Sequence, residues 1–278
     1  MRQDRIERGG MIMENRLDVW LVEHEGVKSR SKAQELIRNG YVTVSGKIEK
    51  KTGYKVGTGD EIKILENDVM KYVSRGGLKL EKAISEFGLD FTGKTILDIG
   101  SSTGGFTDCS LKAGAKKVIA VDVGTDIMDE ELRKDPRVEL YENTDIRDFP
   151  AEKYSDISYA VCDASFISLP VALKGLGGER KDFELIALIK PQFECGIAAA
   201  KKYKGVINDK KLHCDILKSV LKAMAGIGFY ASHITFSPVC GGDGNIEYIA
   251  EFLRTGNLMI SDRQIEDLVE NTFIFFKK

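Results

Sequence analysis

Apolar and polar positions divide the chain into a short front segment and a long alternating one. Leu17, Trp20 and Leu21 recur at helical spacing, and Ala33, Leu36 and Ile37 do so again. Val42 and Val44, then Ile62 and Ile64, alternate with period two. Two helices followed by strands are therefore expected between Arg16 and Leu65. Ser29 or Ser31 suits the cap of the second helix, Gly40 its stop, and Ser45-Gly46 a turn. From Ser74 a helix is expected to run to Phe87 with Leu80, Ala83, Ile84 and Phe87 as its apolar stripe. Lys79 stands beside that stripe, where an exposed helix lysine is the ordinary expectation.

Past Thr95, strands and helices alternate. Apolar runs predict strands at Ile96, Leu97 and Ile99, and over 117–123, 139–142, 157–162 and 185–189. A helix is expected over 209–225, strands over 230–236 and 246–253, and a last helix from Ser261 with Ile265, Leu268 and Val269 inward. The last two strands are joined by the glycine-rich loop from Cys240 to Asn245, which makes them antiparallel. The pattern is that of an α/β chain: a Rossmann-like, mostly parallel sheet with one antiparallel strand at its edge, preceded by a small α+β domain. The expected divisions are a leader over 1–13, a front domain over 14–66, a joint over 67–73 and the large domain over 74–278.

The turn after the first sheet strand carries the first chemical signal. It reads Gly100-Ser101-Ser102-Thr103-Gly104-Gly105 before Phe106 begins a helical pattern. Side-chain-free backbone admits a ligand closely, and the N–H groups at a helix start suit polar or anionic groups. A dinucleotide site asks for G-x-G-x-x-G, whereas this turn has G-x-x-x-G-G with Asp98 at the strand end. That suits S-adenosylmethionine better than a nicotinamide dinucleotide, with Ser101 and Thr103 leaving room for the methionine part. Asp122 and Val123 end the next strand, at the position where an acid pairs with ribose hydroxyls. Asp145 follows the third strand, within expected reach of the adenine amino group. Asp163 and Lys190 end two further strands, so Asp98, Asp122, Asp163 and Lys190 are expected on one rim. The same turn also matches G-x-S-x-G, which would make Ser102 a hydrolase nucleophile served by His213 or His233.

Composition narrows the classes. With 278 residues and a net charge of -2, the chain has enough length for two domains and no overall polycation character. Any nucleic-acid surface must be local. Such a cluster stands at Lys28, Arg30, Lys32 and Arg38, with Arg16 ahead of it. The five cysteines form no C-x-x-C pair and no metal-ligand spacing with the three histidines, so reduced residues in a cytoplasmic protein and no metal are expected. No apolar run reaches bilayer-spanning length.

Two resemblances gather these signals. Arg16-Leu-Asp, the run Ser29-Arg-Ser-Lys-Ala-Gln-Glu-Leu-Ile and Gly40-Tyr-Val-Thr-Val-Ser-Gly46 together resemble the small RNA-binding domain named after ribosomal protein S4. The likeness implies that the basic helix face lies against RNA phosphates. The remainder is similar to the FtsJ methyltransferase family and its TlyA branch. The similarity rests on Ser74-Arg75-Gly-Gly-Leu-Lys79, Leu97-Asp-Ile-Gly-Ser-Ser-Thr-Gly-Gly-Phe106, Cys162-Asp-Ala-Ser-Phe-Ile-Ser168, Leu188-Ile-Lys-Pro-Gln-Phe-Glu194 and Gly241-Gly-Asp-Gly-Asn-Ile-Glu247.

That similarity implies a class I methyltransferase fold and transfer of a methyl group from S-adenosylmethionine to ribose 2'-oxygens of ribosomal RNA. It implies a reacting set of Lys79, Asp163, Lys190 and Glu247. Asp98, Gly100, Ser101, Thr103, Gly104, Gly105, Phe106, Asp122, Val123, Asp145 and Asp163 would serve the cofactor, and Arg75 would join the RNA contacts. Thr103 and Phe106 stand where FtsJ itself has proline and tryptophan. A haemolysin label is also attached to this branch, but no apolar span or tryptophan-rich amphipathic helix supports membrane activity. Partners are expected to be ribosomal RNA or ribosomal subunits.

Overall fold

A computed structural model describes residues 15–65, 71–150, 154–177, 183–256 and 260–277. The chain divides into two compact units, Met1–Lys71 and Tyr72–Lys278. The expected leader over 1–13 and most of the expected joint lie outside the described residues.

In the first unit, α1 (Leu17–His24) and α2 (Arg30–Arg38) precede β1 (Val42–Val44), β2 (Lys47–Ile48) and β3 (Ile62–Ile64). The strands form an antiparallel sheet ordered β2-β1-β3. Ser29 is the cap of α2, its Oγ accepting from the Lys32 N–H at 3.2 Å. Leu17, Leu21, Ala33, Leu36, Ile37 and Val42 are completely buried and make the small core.

Asp18 is the polar member of that interior. It is fully buried inside α1, yet three side chains converge on it. The Arg16 guanidinium donates to both oxygens at 3.0 and 3.1 Å, and Arg30 Nε and Gln34 Nε2 donate to Oδ2 at 2.9 and 2.7 Å. Burial pushes the Asp18 carboxyl up, but the bonds from Arg16, Gln34 and Arg30 outweigh it and hold the group well below the usual carboxylate range.

The second unit is a seven-stranded sheet. Its strands are β4 (Thr95–Ile99), β5 (Lys117–Val121), β6 (Val138–Tyr141), β7 (Ile157–Cys162), β8 (Glu184–Ile189), β9 (Tyr230–Phe236) and β10 (Tyr248–Leu253), in the order β6-β5-β4-β7-β8-β10-β9. The first five are parallel and β10 alone runs against the rest. The helices are α3 (Gly76–Phe87), α4 (Gly105–Lys112), α5 (Glu130–Lys134), α6 (Leu169–Leu173), α7 (Pro191–Glu194), α8 (Gly196–Lys202), α9 (Lys210–Gly226) and α10 (Asp262–Phe276). Two apolar clusters form the core of this unit. One joins Leu97, Ile119, Leu185 and Leu217, and the other joins Leu80, Ile96, Phe106 and Val118.

The reversed strand does not sit at the edge as the sequence suggested. β10 is inserted between β8 and β9, pairing Tyr248 with Ile189 on one side and with Phe236 on the other. The reason is burial. Tyr248 through Phe252 are all buried, which needs a neighbour on each side, whereas β9 carries exposed His233 and tolerates the edge. The chain therefore skips a place after β8 and its last strand fills the gap.

Glycine sets the approach of α3 to α4. A methyl group on Gly105 would come within 2.3 Å of Ser74 Oγ, 3.0 Å of Gly77 N and 3.1 Å of Gly76 Cα, so the two helix starts touch through bare backbone. A methyl on Gly77 would meet the buried Tyr72 ring at 2.3 Å.

Trp20 is the chain's single tryptophan and lies in the first unit, so its fluorescence follows that unit within the whole protein. Replacing Asp18 with Ala leaves two guanidiniums without their shared acceptor. Denaturant unfolding followed by Trp20 is expected to show a loss of about 2 kcal/mol. The same signal sets the pH dependence. The folded pKa of Asp18 lies below its unfolded value, so its contribution is present above about pH 4 and fades as pH falls further. The Ala variant should lack that acid-side slope.

Candidate active site

Strand ends on the carboxyl side of the sheet carry the charged residues. β4 delivers Asp98 and then turns at Gly100, with φ of +77°, through Ser102 at +48° and Gly104 at +94° into α4. Gly100 is obligatory for contact as well as for torsion, because a methyl there would stand 3.1 Å from the backbone of Ala164, just after β7. The loops that follow β4 and β7 are thereby held together.

Asp163 leaves β7, Lys190 leaves β8 and Glu247 immediately precedes β10. Lys79 joins them from the first turn of α3, where Gly76 and Gly77 allow close packing. It is buried, contrary to its expectation as a surface lysine, because its charge is matched where it lies. Lys79 Nζ donates to Glu247 Oε2 at 2.7 Å and stands 3.6 Å from Asp163 Oδ2. Lys190 Nζ lies 2.5 Å from Asp163 Oδ1 and donates to the Asp163 carbonyl at 3.1 Å and to Ser165 Oγ at 2.8 Å. The other Glu247 oxygen accepts from Gln192 Nε2 at 3.1 Å. Two lysines and two carboxylates thus form one continuous cluster. Burial pushes the Lys79 ammonium down, but the Asp163 and Glu247 carboxylates outweigh that and raise it above its ordinary value.

Asp98 is fully buried behind this rim. Its Oδ2 accepts from Thr107 Oγ1 at 2.6 Å, while Oδ1 and the buried Ser101 Oγ have no hydrogen-bond partner among the described residues. Burial pushes the Asp98 carboxyl up to about 7, against the Thr107 bond and with help from the charges of Asp163 and Asp122. Asp122 accepts from the Ser102 N–H at 2.7 Å and the Gly124 N–H at 2.6 Å, which fixes the glycine turn to the end of β5. Val123 beside it is 69% exposed, and Phe106 is buried in the core. Asp145 follows β6, and Arg147 grips it with Nε at 2.9 Å and the terminal nitrogen at 2.5 Å, holding its carboxyl down at about 2.

Of the basic residues expected to touch RNA, Arg16 and Arg30 meet at Asp18, and Lys32 stands 3.5 Å from Glu35. Lys28 and Arg38 are exposed. Arg75 is half-buried at the cap of α3, its charge opposing that of Lys79.

Sequence reasoning missed Ser165, Gln192 and Phe166. The first two lie within two or three residues of a charged strand end, a spacing that places them beside it. Phe166 is 90% exposed with φ of +65°, on the loop that carries Asp163 and Ser165, and its ring stands 5.0 Å from that of Phe193. An aromatic side chain left in solvent beside a charged site is unusual for a monomer surface.

The alternative nucleophile finds no support. The His213 Nε2–H donates to the Ile207 carbonyl at 3.1 Å and its Nδ1 faces Tyr248 OH at 2.8 Å. His233 lies 2.5 Å from Glu251. Both histidines are occupied away from Ser102.

Residues 72–253 match the model of the FtsJ-like methyltransferase family. The chain belongs to that family. Residues 15–62 match the S4 domain. Similar to this FtsJ-like chain is Hemolysin A of Brachyspira hyodysenteriae, 42% identical, with 86% of this chain and 99% of the relative covered. The 16S/23S rRNA (cytidine-2'-O)-methyltransferase TlyA of Mycobacterium tuberculosis is 33% identical, with 93% and 97% covered. A solved structure of a candidate hemolysin from Streptococcus thermophilus superposes with a TM-score of 0.74 at 35% identity, covering 95% of this chain and 97% of that one. Among the described residues no helix is long and apolar enough to cross a membrane.

Because Asp98 has a raised folded pKa, folding favours its neutral form. Its ionisation therefore erodes stability as pH rises from about 4 through about 7. Urea midpoints measured at pH 5 and pH 8 should differ by more than about 1 kcal/mol of stability in the native chain. The difference should shrink in Asp98→Asn.

Proposed function

We propose that this chain is an S-adenosylmethionine-dependent ribose 2'-O-methyltransferase acting on ribosomal RNA in the cytoplasm. The observation that carries the reading is the cluster of buried Lys79, Lys190 and Glu247 around half-buried Asp163 at the sheet rim, beside a glycine turn. Its membership of a methyltransferase family and its likeness to a TlyA named for cytidine 2'-O-methylation support the same conclusion.

The residues around the glycine turn suit S-adenosylmethionine. Ser101 Oγ and Asp98 Oδ1 are buried acceptors without partners among the described residues, and Gly100, Gly104 and Gly105 leave backbone bare at the start of α4. Asp122 would take the ribose hydroxyls, while Asp163 and the strand-end backbone would border the methionine part. When bound, the cofactor supplies an electrophilic methyl group on a sulfonium.

The protein's remaining task is to align a ribose hydroxyl and ease the loss of its proton. Lys190 donates to the Asp163 carbonyl and to Ser165 Oγ and is ion-paired with the Asp163 carboxylate, a setting that suits an ammonium. A hydroxyl that displaced Ser165 would accept from Nζ, and the ammonium would stabilise negative charge growing on its oxygen. As the O–CH3 bond forms and the S–CH3 bond breaks, the hydroxyl proton would pass to the adjacent Asp163 carboxylate. Lys79 adds a second positive charge behind Asp163 and keeps that carboxylate from taking the whole field of Lys190. Glu247, braced by Gln192, keeps Lys79 in place.

Substrate capture follows from the same groups. The exposed Phe166 ring, backed by Phe193, is a stacking surface for an unpaired base next to the reacting ribose. Arg16 and Arg30, held in register by Asp18, offer two guanidiniums to RNA phosphates from the S4 domain.

Lys190→Ala should abolish methyl transfer to ribosomal RNA, a fall of about a thousandfold or more, while calorimetric affinity for S-adenosylmethionine stays within a few fold. Unchanged turnover refutes the assignment. Mapping 2'-O-methyl positions in ribosomal RNA from cells with and without the protein identifies the nucleotide. Phe166→Ala should raise KM for RNA about tenfold, the loss expected for one base stack, with methyl transfer retained at saturating RNA.

A further inference from the structure

We infer that the methyltransferase unit has its own grip on the RNA backbone, a lysine strip at residues 201–211 fixed at a set distance from Lys190 and Glu247. The inference deepens the RNA-methylating reading above and rests on it for the choice of partner.

Charge is concentrated here in a chain that is acidic overall. Residues 201–211 contain Lys201, Lys202, Lys204, Lys210 and Lys211 against one acid, Asp209, although the net charge is -2. Lys210 is taken up by Glu270 at 2.6 Å. Lys201, Lys202, Lys204 and Lys211 are exposed, and among the described residues none has a carboxylate within ion-pairing distance. Tyr203 lies among them with the Lys202 ammonium 4.9 Å from its ring. Lys202, Tyr203, Asp209, Lys211, Leu212 and Asp215 line a groove of about 410 Å³, its two acids lying on the α9 side.

Helix electrostatics do not account for the arrangement. Lys201 and Lys202 end α8, where cations are favoured, but Lys210 and Lys211 open α9, where the helix dipole disfavours them. Lys204 adopts φ of +51° at the left-handed position that closes α8, where the Gly205 N–H donates to the Ala200 carbonyl and glycine is the preferred residue. Local folding preferences would select other residues at two of these positions, Lys204 and Lys211. An external polyanion supplies the missing reason.

The strip is also clamped. Asn245, almost completely buried, donates from Nδ2 to the Gly205 carbonyl at 2.7 Å and accepts at Oδ1 from the Ile207 N–H at 3.1 Å. His213, fully buried, donates to the Ile207 carbonyl, so two buried polar side chains hold one short turn. Asn245 lies two residues before Glu247. At the other end, α7 and α8 lead directly from Lys190, and a helical rise of about 1.5 Å per residue keeps Lys202 within roughly 20 Å of it. A rigid row of cations at that reach meets phosphates flanking the nucleotide held at Lys190.

The test compares the full-length chain with the triple variants K201E/K204E/K211E and K201Q/K204Q/K211Q. The probe is ribosomal RNA from cells that lack the protein, and binding is measured from 50 to 300 mM salt. Each phosphate contact contributes roughly 0.7 to 0.9 to the slope of log affinity against log salt. The Gln triple should lose about 2 from that slope and raise KM for RNA at least tenfold, with kcat within twofold and cofactor affinity unchanged. The Glu triple should do more.

A Gln variant with the native slope and KM overturns the strip. So does a variant whose only loss is binding to phosphatidylglycerol vesicles, which would assign the lysines to a membrane surface. Since the slope is read from binding, a native chain that grips RNA but transfers no methyl defeats the reaction assigned above and leaves the strip to be judged on its own.

Discussion

Everything at the rim depends on charge neutrality within a buried cluster. Two ammoniums and the Glu247 carboxylate are buried around the half-buried Asp163 carboxylate, each within direct reach of an opposite charge, and the arrangement is tolerable only as a set. Removing one member strands another in a low-dielectric setting, so geometry and charge balance cannot be separated. The same balance explains how a lysine in the first turn of α3 becomes part of a site built at the ends of β7, β8 and β10. Its pull inward is electrostatic, and the glycines at Gly76, Gly77 and Gly105 provide the clearance.

The first unit applies the same logic to a different task. Asp18 is a buried anion that exists because Arg16, Arg30 and Gln34 reach it, and in doing so it fixes where the guanidiniums stand. Cations that would otherwise sweep through solvent are held before any partner arrives, which lowers the ordering entropy of binding. The basic face read from the sequence is therefore less a row of loose charges than a scaffold organised from beneath.

Much of this was legible in the residues alone. The alternating pattern marked out the parallel strands to within a few positions, and Asp98, Asp122, Asp163 and Lys190 were traceable to strand ends because that is where an open α/β sheet presents its ligands. Lys79 was not legible from periodicity, since helical spacing reports an apolar face and is silent about a buried charge satisfied from distant strands. The place of β10 was hidden for a related reason. A short glycine loop fixes that two strands are antiparallel but not which of them takes the interior position, and only the complete burial of Tyr248 through Phe252 decides it. Phe166 lay inside a motif already noted, yet nothing in a pattern of residues distinguishes a core phenylalanine from one held in solvent.

The late entry of β10 has a consequence for biosynthesis. Glu247 is brought to Lys79 by a strand that slots between two partners already separated along the chain, so the cluster closes only after residues beyond 250 have left the ribosome. Contacts of such long sequence separation form late and slowly. A nascent or prematurely terminated polypeptide would carry the glycine turn and both lysines but lack the final counter-charge, leaving Lys79 without its nearest carboxylate.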